Sequence, residues 1–85
     1  MPVVRVRYLA SFQLCARKAV ERIPIGRGES LEDLRRQLIS RYGGGFERYL
    51  DEERCVIFVN GEEASRNPVL QDNDEVIFAI ALGGG

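Results

Sequence analysis

The sequence has 85 residues, which is enough for one domain with a single small core and too short for a second, catalytic domain. Its 12 basic and 13 acidic side chains nearly cancel to a net charge of -1, so the basic surface of a nucleic-acid-binding protein is absent and we expect no nucleic-acid partner. No apolar run approaches the roughly 20 residues that cross a bilayer, and residues 1–5 lead into a strand pattern instead of a signal peptide, which predicts a cytoplasmic protein without a membrane partner.

A half-buried strand is predicted at residues 3–9, where apolar and polar side chains alternate. Its two faces carry Val4, Val6 and Tyr8 on one side and Arg5 and Arg7 on the other. Residues 10–18 form a connection with room for a helical turn, and residues 19–25 form a second strand, in which Pro24 requires an edge or an end. These two strands are predicted to form a hairpin with a long loop.

One amphipathic helix is predicted to begin after Ser30. This serine is followed three residues later by Asp33, an acidic form of the capping box that also favours the positive end of the helix dipole. The apolar residues that recur at helical spacing are Leu31, Leu34, Leu38 and Ile39. The helix should end near Tyr42, with Gly43 as a left-handed residue after its last turn and Gly44–Gly45 unable to continue it.

The three consecutive glycines at residues 43–45 also invite comparison with a phosphate-binding loop. Such a loop lies between a strand and the start of a helix and carries a lysine followed by serine or threonine. This run follows a helix instead, so its position favours a helix stop.

Residues 46–59 predict a helical turn followed by a strand. A short helical turn within residues 46–54 can lay an apolar side on the core. The residues of that side are Phe46, Tyr49 and Leu50. Residues 55–59 form the strand, and Asn60–Gly61 after it is a strong signal for a hairpin turn.

The last quarter of the chain predicts two more strands. Asn67–Pro68 marks a turn, and Val69–Leu70 follows as a short strand. Residues 71–74 form a tight corner, after which an apolar run predicts a buried strand that ends at Leu82.

The predicted order of elements is strand, strand, helix, strand, short strand, strand. The simplest way to cover one apolar helix face is a single mixed sheet of about five strands, with the first and last strands as parallel neighbours in the middle. We therefore predict an α+β domain of β-grasp, ubiquitin-like architecture at residues 1–82, packed on one main helix. Residues 83–85 are predicted to form a flexible, exposed glycine tail.

The glycines at residues 83–85 contribute nothing to a core, because glycine is the costliest residue to order and has no side chain to pack. A segment without Cβ atoms can enter a narrow channel and carry the carboxylate of Gly85 into the active site of another protein. The alternative is a frayed terminus or a remnant of an expression vector.

The sequence contains no histidine and only two cysteines, Cys15 and Cys55. A His-based catalytic triad or a zinc site therefore cannot be assembled within this chain, which excludes most hydrolase chemistries. Two cysteines without any export signal predict thiols and not a disulfide. Because no base accompanies them, we expect core or near-surface residues without a catalytic role.

Several segments, in this order and spacing, together resemble a known family. They are Glu29–Ser30–Leu31 with Leu34, Arg41–Tyr42, Val59–Asn60–Gly61–Glu62, residues 68–76 and Gly84–Gly85. The family is that of the small sulfur carriers: the small subunit of molybdopterin synthase, the thiamine sulfur carrier and the ubiquitin-related modifiers. The length and the segment 46–54 resemble the molybdopterin synthase subunit, whereas Ile80–Ala81 in the tail resembles the thiamine carrier.

This resemblance implies a mechanism that centres on Gly85. Its carboxylate would be adenylated by an E1-like adenylyltransferase that uses ATP, and a persulfide sulfur would then convert it to a thiocarboxylate. Gly84 and Gly83 would let the tail thread into the active sites of partner enzymes. The chain would be a carrier and not an enzyme, with no cofactor or metal of its own. Its sulfur acceptor would be the large subunit of molybdopterin synthase or, in the thiamine pathway, thiazole synthase.

A docking surface is predicted on the face of the sheet away from the helix. Alternation along the last strand places every second residue on that face. The predicted partner-binding residues are Phe58, Ile77, Ala79, Ala81, Arg5 and Arg7. An apolar face flanked by arginines is typical of a protein-binding patch, and scattered exposed apolar residues, which are common on any surface, are the alternative.

Two other functions remain open at this point. In a ubiquitin-like modifier, a lysine amine would capture the activated glycine, and Lys18 is the only lysine within the chain itself. In a non-covalent interaction subunit with the same fold, the glycine tail would have no chemical role.

Overall fold

A computed structural model describes residues 1–51, 54–64 and 66–81 of the chain. Its elements are β1 (Val3–Tyr8), α1 (Ser11–Ala16), β2 (Val20–Pro24), α2 (Leu31–Tyr42), α3 (Gly44–Leu50), β3 (Cys55–Val59), β4 (Glu62–Glu63) and β5 (Glu75–Ile80). These strands form one sheet in the order β2-β1-β5-β3-β4. The central pair β1 and β5 is parallel, and all other neighbours are antiparallel. The predicted β-grasp fold with its parallel central pair is confirmed.

The inner face of the sheet supplies most of the core, because every second residue of the central strands is apolar. The fully buried residues of these two strands are Val4, Val6, Tyr8, Val76 and Phe78. They belong to one cluster with the buried side of α2, formed by Leu31, Leu34 and Leu38. One sheet face and one helix face therefore share a single core, as the apolar spacing predicted.

Four fully buried aromatic rings lie in this core: Tyr8, Phe12, Phe46 and Phe78. The ring centroids of Phe12 and Phe46 are 5.1 Å apart, and those of Phe46 and Phe78 are 5.7 Å apart. Such distances are favourable for aromatic pairs and add to the gain from burial. Phe12 belongs to α1, a six-residue helix in the connection where a helical turn was predicted, and Phe46 belongs to α3. The cluster therefore fixes both short helices to the sheet.

The start of α2 forms the predicted capping box. The Asp33 backbone N–H donates to the Ser30 Oγ at 3.4 Å, and the Ser30 backbone N–H donates to the Asp33 Oδ2 at 2.9 Å. The Ser30 hydroxyl also donates to the Asp33 Oδ2, at 3.1 Å. The two bonds that the Asp33 carboxylate accepts, from the Ser30 backbone N–H first and from its hydroxyl second, lower the pKa of Asp33, and the charge of Arg36 acts in the same direction. Two backbone groups at the helix start that have no partner within the helix are thereby satisfied.

The chain turns sharply at Gly43, between α2 and α3. Its φ is 86°, positive as predicted, but its ψ is -164°, which is extended and not left-handed helical. As expected, α2 ends at Tyr42 and does not continue into Gly44–Gly45. The helical turn predicted within residues 46–54 begins earlier than expected, since α3 begins at Gly44. Phe46 and Leu50 of α3 are buried, and this packing outweighs the low helix propensity of glycine, which costs about 1 kcal/mol per residue relative to alanine.

The turn between β3 and β4 follows its sequence signal. Asn60 and Gly61 have φ values of 52° and 85°, and a two-residue type I′ turn requires positive φ at both positions. The Asn60 side chain also bonds to the start of β5. Its Oδ1 accepts from the Glu75 backbone N–H at 2.9 Å, and its Nδ2 donates to the Asp74 Oδ1 at 2.9 Å. These bonds hold the hairpin against the central strand.

The expectation of a short strand at Val69–Leu70 was wrong. Val69 forms only an isolated bridge with Ser30, and the short strand of the sheet is β4, which pairs with the end of β3. Its two glutamates carry no apolar alternation, so the pattern that identified the other strands could not identify this one.

Glu21 of β2 is a carboxylate with four partners, and only 11% of its side chain is exposed. The phenol O–H groups of Tyr8 and Tyr42 donate to its Oε1 at 2.8 and 2.5 Å. Its Oε2 pairs with the guanidinium of Arg41 and lies 3.6 Å from the Nζ of Lys18. Burial would raise the pKa of this carboxyl, but the two phenol hydrogen bonds and the two cations hold it below its usual value. Burial and the bond to Glu21 raise the pKa of Tyr8.

We expect Glu21 to make the stability of the fold depend on acid pH. Because its pKa is lower in the folded state, its contribution is present above the unfolded value of 4.5 and is lost as the pH falls through the folded value. Glu21→Gln should lower the free energy of unfolding by about 1.5–3 kcal/mol at neutral pH, as for a hydrogen bond to a charged group, and by less in acid. Urea unfolding from pH 7 to 3 measures this difference.

The matched control is Glu47→Gln, at an exposed position on α3. This variant should follow the wild-type stability at every pH. Parallel curves for wild type and Glu21→Gln across the acid range would contradict the assigned role of the Glu21 carboxylate.

Candidate docking face and glycine tail

The predicted reactive residue Gly85, together with Gly84 and Gly83, lies outside the residues that the structure describes, and so does the predicted domain boundary after Leu82. The last described residue is Ala81, whose N–H donates to the carbonyl oxygen of Arg54 at 2.7 Å. The glycines follow β5 in the sequence. β5 is a central strand parallel to β1, so the carboxyl ends of both strands lie at the same end of the sheet.

Strand register brings the predicted docking residues together on the outer face of the sheet. Arg7 of β1 is opposite Ile77 of β5, Ile77 is opposite Phe58 of β3, and Phe58 is opposite Glu63 of β4. These four residues form one row across the sheet. Ala79 lies two residues beyond Ile77 on the same strand and face.

The burial pattern agrees with this assignment of faces. Val76 and Phe78 are fully buried on the inner side, whereas Ile77 and Ala79 between and after them are partly exposed. Phe58 is also partly exposed, while its neighbours in β3, Ile57 and Val59, pack against the core. The remaining predicted residues, Arg5, Arg7 and Ala81, are exposed. The patch is therefore continuous and accessible, and its role in partner binding stays a prediction.

The sequence interpretation missed several residues on the same face. Leu9 is 41% exposed and follows Arg7 at the next outward position of the alternating pattern, so an extension of that pattern by two residues identifies it. Val56 precedes Phe58 by two residues in β3, and the same alternation identifies it. Val20, 53% exposed, and Arg22 join the face through the pairing of β2 with β1, which no local pattern reveals.

Charge divides this outer face into three zones. Arg5, Arg7 and Arg22 make the β1–β2 side basic, and Glu63 makes the β4 edge acidic. The apolar side chains of β5 and β3 lie between these zones. An apolar centre with charged margins is the usual organisation of a protein–protein contact surface.

The described residues contain no group of three His, Cys, Asp or Glu side chains that could hold a metal ion. None of the helices in the described ranges is long and apolar enough to cross a membrane. Cys15 and Cys55 do not bridge to each other, and both are partly buried against the core.

Comparison with known families and structures gives a consistent result. A profile of the ThiS family matches residues 6–85. A search of curated protein sequences found no match. Among solved structures, a Pyrococcus furiosus protein described as subunit 1 of a molybdopterin converting factor is similar, with a TM-score of 0.78 and 26% identity over 96% of this chain and 100% of that chain.

Two further structures share the fold. SAMP1 of Haloferax volcanii gives a TM-score of 0.82 and 17% identity, with 98% of this chain and 99% of that chain covered. A Helicobacter pylori complex of subunits 1 and 2 of the molybdopterin-converting factor gives a TM-score of 0.67 and 21% identity, with 98% of this chain and 99% of that chain covered.

Proposed function

This chain belongs to the ThiS family of ubiquitin-like sulfur carriers, and on that premise we propose that it carries sulfur as a thiocarboxylate on Gly85, in molybdopterin biosynthesis. The observation that carries the proposal is the family match over residues 6–85, which includes the three glycines. The likeness to the molybdopterin converting factor subunit of Pyrococcus furiosus, at 26% identity, favours this pathway over the thiamine pathway.

The proposed chemistry activates a carboxylate that is otherwise a poor electrophile. An E1-like adenylyltransferase lets the Gly85 carboxylate attack the α-phosphorus of ATP, which releases pyrophosphate and leaves an acyl-adenylate. The terminal sulfur of a persulfide attacks the acyl carbon and displaces AMP. The product is an acyl disulfide that keeps the S–S bond of the persulfide. A thiol then attacks the donor sulfur of that bond, which leaves a thiocarboxylate on the carrier and a disulfide between the attacking thiol and the donor sulfur.

The composition of the chain suits a carrier that its partners act upon. The sequence offers no histidine as a base, which fits a carrier whose partner enzymes supply the groups that move protons during adenylation and transfer. Gly84 and Gly83 have no side chain to obstruct a narrow active-site channel and adopt dihedral angles closed to other residues. The folded domain then serves as the part that partners recognise.

The outer face of the sheet is the proposed contact surface for these partners. In the Helicobacter pylori structure, subunit 1 of the molybdopterin-converting factor is in complex with subunit 2. We propose that the large subunit of molybdopterin synthase contacts this chain through the partly exposed Ile77, Phe58 and Ala79. A thiazole synthase in the same position is the alternative.

A second function is protein modification, which the similarity to SAMP1, a small archaeal modifier protein, specifically favours. The acyl-adenylate of Gly85 would then react with a lysine amine of a target protein and form an isopeptide bond. Lys18, the single lysine of this chain, is paired with Glu21. Attachment of one copy to another therefore has one lysine to use.

Intact mass distinguishes these functions. After incubation with the adenylating enzyme of the same organism, ATP and a persulfide donor, we expect a mass increase equal to the replacement of one oxygen by sulfur. The reaction without ATP is the control. A conjugate of higher mass would instead indicate a modifier, and an unchanged mass would contradict both covalent functions and leave a non-covalent subunit.

A further inference from the structure

Three arginines form a cluster on the β1–β2 side of the outer face. Arg5 and Arg22 are directly opposite each other across the antiparallel pair, and Arg7 lies two residues beyond Arg5 on the same face. Opposite residues in such a pair have Cβ atoms about 4.5–5.5 Å apart, so their like charges destabilise the pairing. All three side chains are exposed. Within the described part of the chain, none of them forms an ion pair.

The cluster forms no ion pair with a carboxylate of the described residues, although an acidic residue lies on the neighbouring strand. Glu75 of β5 is the register partner of Arg5, yet the two side chains do not form an ion pair. The arginines of α2 behave differently, since Arg35, Arg36 and Arg41 each pair with a carboxylate. The outer face thus keeps three arginines that form no ion pair among the described residues, two of them directly opposite each other.

We propose that Arg5, Arg7 and Arg22 bind carboxylates on the surface of the adenylating enzyme, next to the apolar contact area. This inference rests on the function proposed above and adds Arg22 to the docking residues. Carboxylates placed opposite the cluster relieve the repulsion between Arg5 and Arg22. They also steer the two proteins toward productive encounters.

The rest of the face selects a protein over other anionic partners. The row that begins at Arg7 continues through the apolar Ile77 and Phe58 and ends at Glu63. A nucleic acid or an anionic lipid surface gains nothing from the apolar pair and is repelled by Glu63. The net charge of -1 for the whole chain also disfavours a general polyanion binder. A protein surface with carboxylates on one side of an apolar centre matches the row.

The asymmetry of the charges also defines one orientation of docking. The basic zone lies on β1 and β2, and the acidic edge lies on β4, at the opposite side of the sheet. If the partner docked after a rotation of 180° on this face, its carboxylates would lie opposite the acidic edge at β4. This contact between like charges would weaken binding. The correct orientation keeps the end of β5 at a fixed place on the enzyme.

Arg22→Glu is the most informative variant, because it reverses one charge of the cluster and places a carboxylate opposite Arg5. The association rate with the adenylating enzyme should fall by about tenfold or more at low salt, and its dependence on ionic strength should weaken. The melting temperature should stay equal or rise, since cross-strand repulsion becomes attraction. Arg5→Glu should slow association in the same way. Arg48→Glu, at an exposed position on α3, is the matched control and should associate at the wild-type rate.

The outcomes separate this inference from the function on which it rests. If the wild type gains its thiocarboxylate while Arg22→Glu and Arg5→Glu associate as fast as the control, the arginine cluster does not contact the enzyme and the inference is overturned. If the enzyme does not form a thiocarboxylate on the wild type, that result contradicts the proposed function itself. Tight binding to anionic vesicles or to heparin that depends on Arg22, with an unchanged association rate for the enzyme, would assign the cluster to a polyanion and reject the proposal.

Discussion

A variant that lacks Gly85 is expected to lose sulfur transfer while unfolding at the wild-type temperature. Deletion of one residue withdraws the carboxylate by about 3.3–3.6 Å along an extended chain. A misplacement of about 1 Å at a reacting group can cost on the order of 10²-fold in rate, so a loss of at least that size is expected here. Thiocarboxylate formation, measured by intact mass under single-turnover conditions, and the thermal midpoint test the two halves of this prediction.

An extension of one alanine after Gly85 should have the same effect, because it moves the carboxylate in the other direction and adds a Cβ. Deletion of Met1, which is highly exposed at the opposite terminus, is the matched control and should leave transfer unchanged. If the protein without Gly85 still acquires sulfur at the wild-type rate, the Gly85 carboxylate is not the reactive group.

Local signals in the sequence were sufficient for much of this fold. Three of these signals depend only on residues that are a few positions apart in the sequence. They are the alternation in β1, the spacing of leucines in α2 and the capping pair Ser30 and Asp33. The Asn60–Gly61 turn likewise needs only two residues with positive φ. From these elements the parallel central pair follows, since a buried first strand and a buried last strand both have to cover the same helix.

The features that were missed depend on contacts between distant segments. Gly44 starts a helix because Phe46 meets rings from β1 and β5, and glycine itself gives no such signal. β4 is a local exception, since it pairs with β3 across a two-residue turn, but its two glutamates do not themselves favour a strand. Arg22 joins the docking face only through its register with Arg5, which a single sequence does not specify.

Two adjacent residues of β5 are expected to separate stability from binding. Phe78 is fully buried and contacts the rings of Tyr8, Phe12 and Phe46, so Phe78→Ala should cost about 3–5 kcal/mol of unfolding free energy. That loss is a large part of the 5–15 kcal/mol typical of a whole domain. Ile77 faces outward, and Ile77→Asp should cost about 1 kcal/mol, the range of strand propensities in a folded host.

Binding should respond in a different order from stability. Ile77→Asp places a charge in the middle of the apolar zone, where a central contact residue is worth about 2 kcal/mol or more, so affinity for the large subunit should fall by roughly 30-fold. The folded fraction of Phe78→Ala, determined by urea unfolding, should bind the large subunit nearly as well as the wild type. The reason is that the side chain of Phe78 does not reach the outer face. Glu47→Gln on α3 serves as the control for both measurements. Since β5 alternates strictly between the two faces, a large loss of stability in Ile77→Asp together with wild-type affinity would mean that the outer face is not the surface that partners recognise.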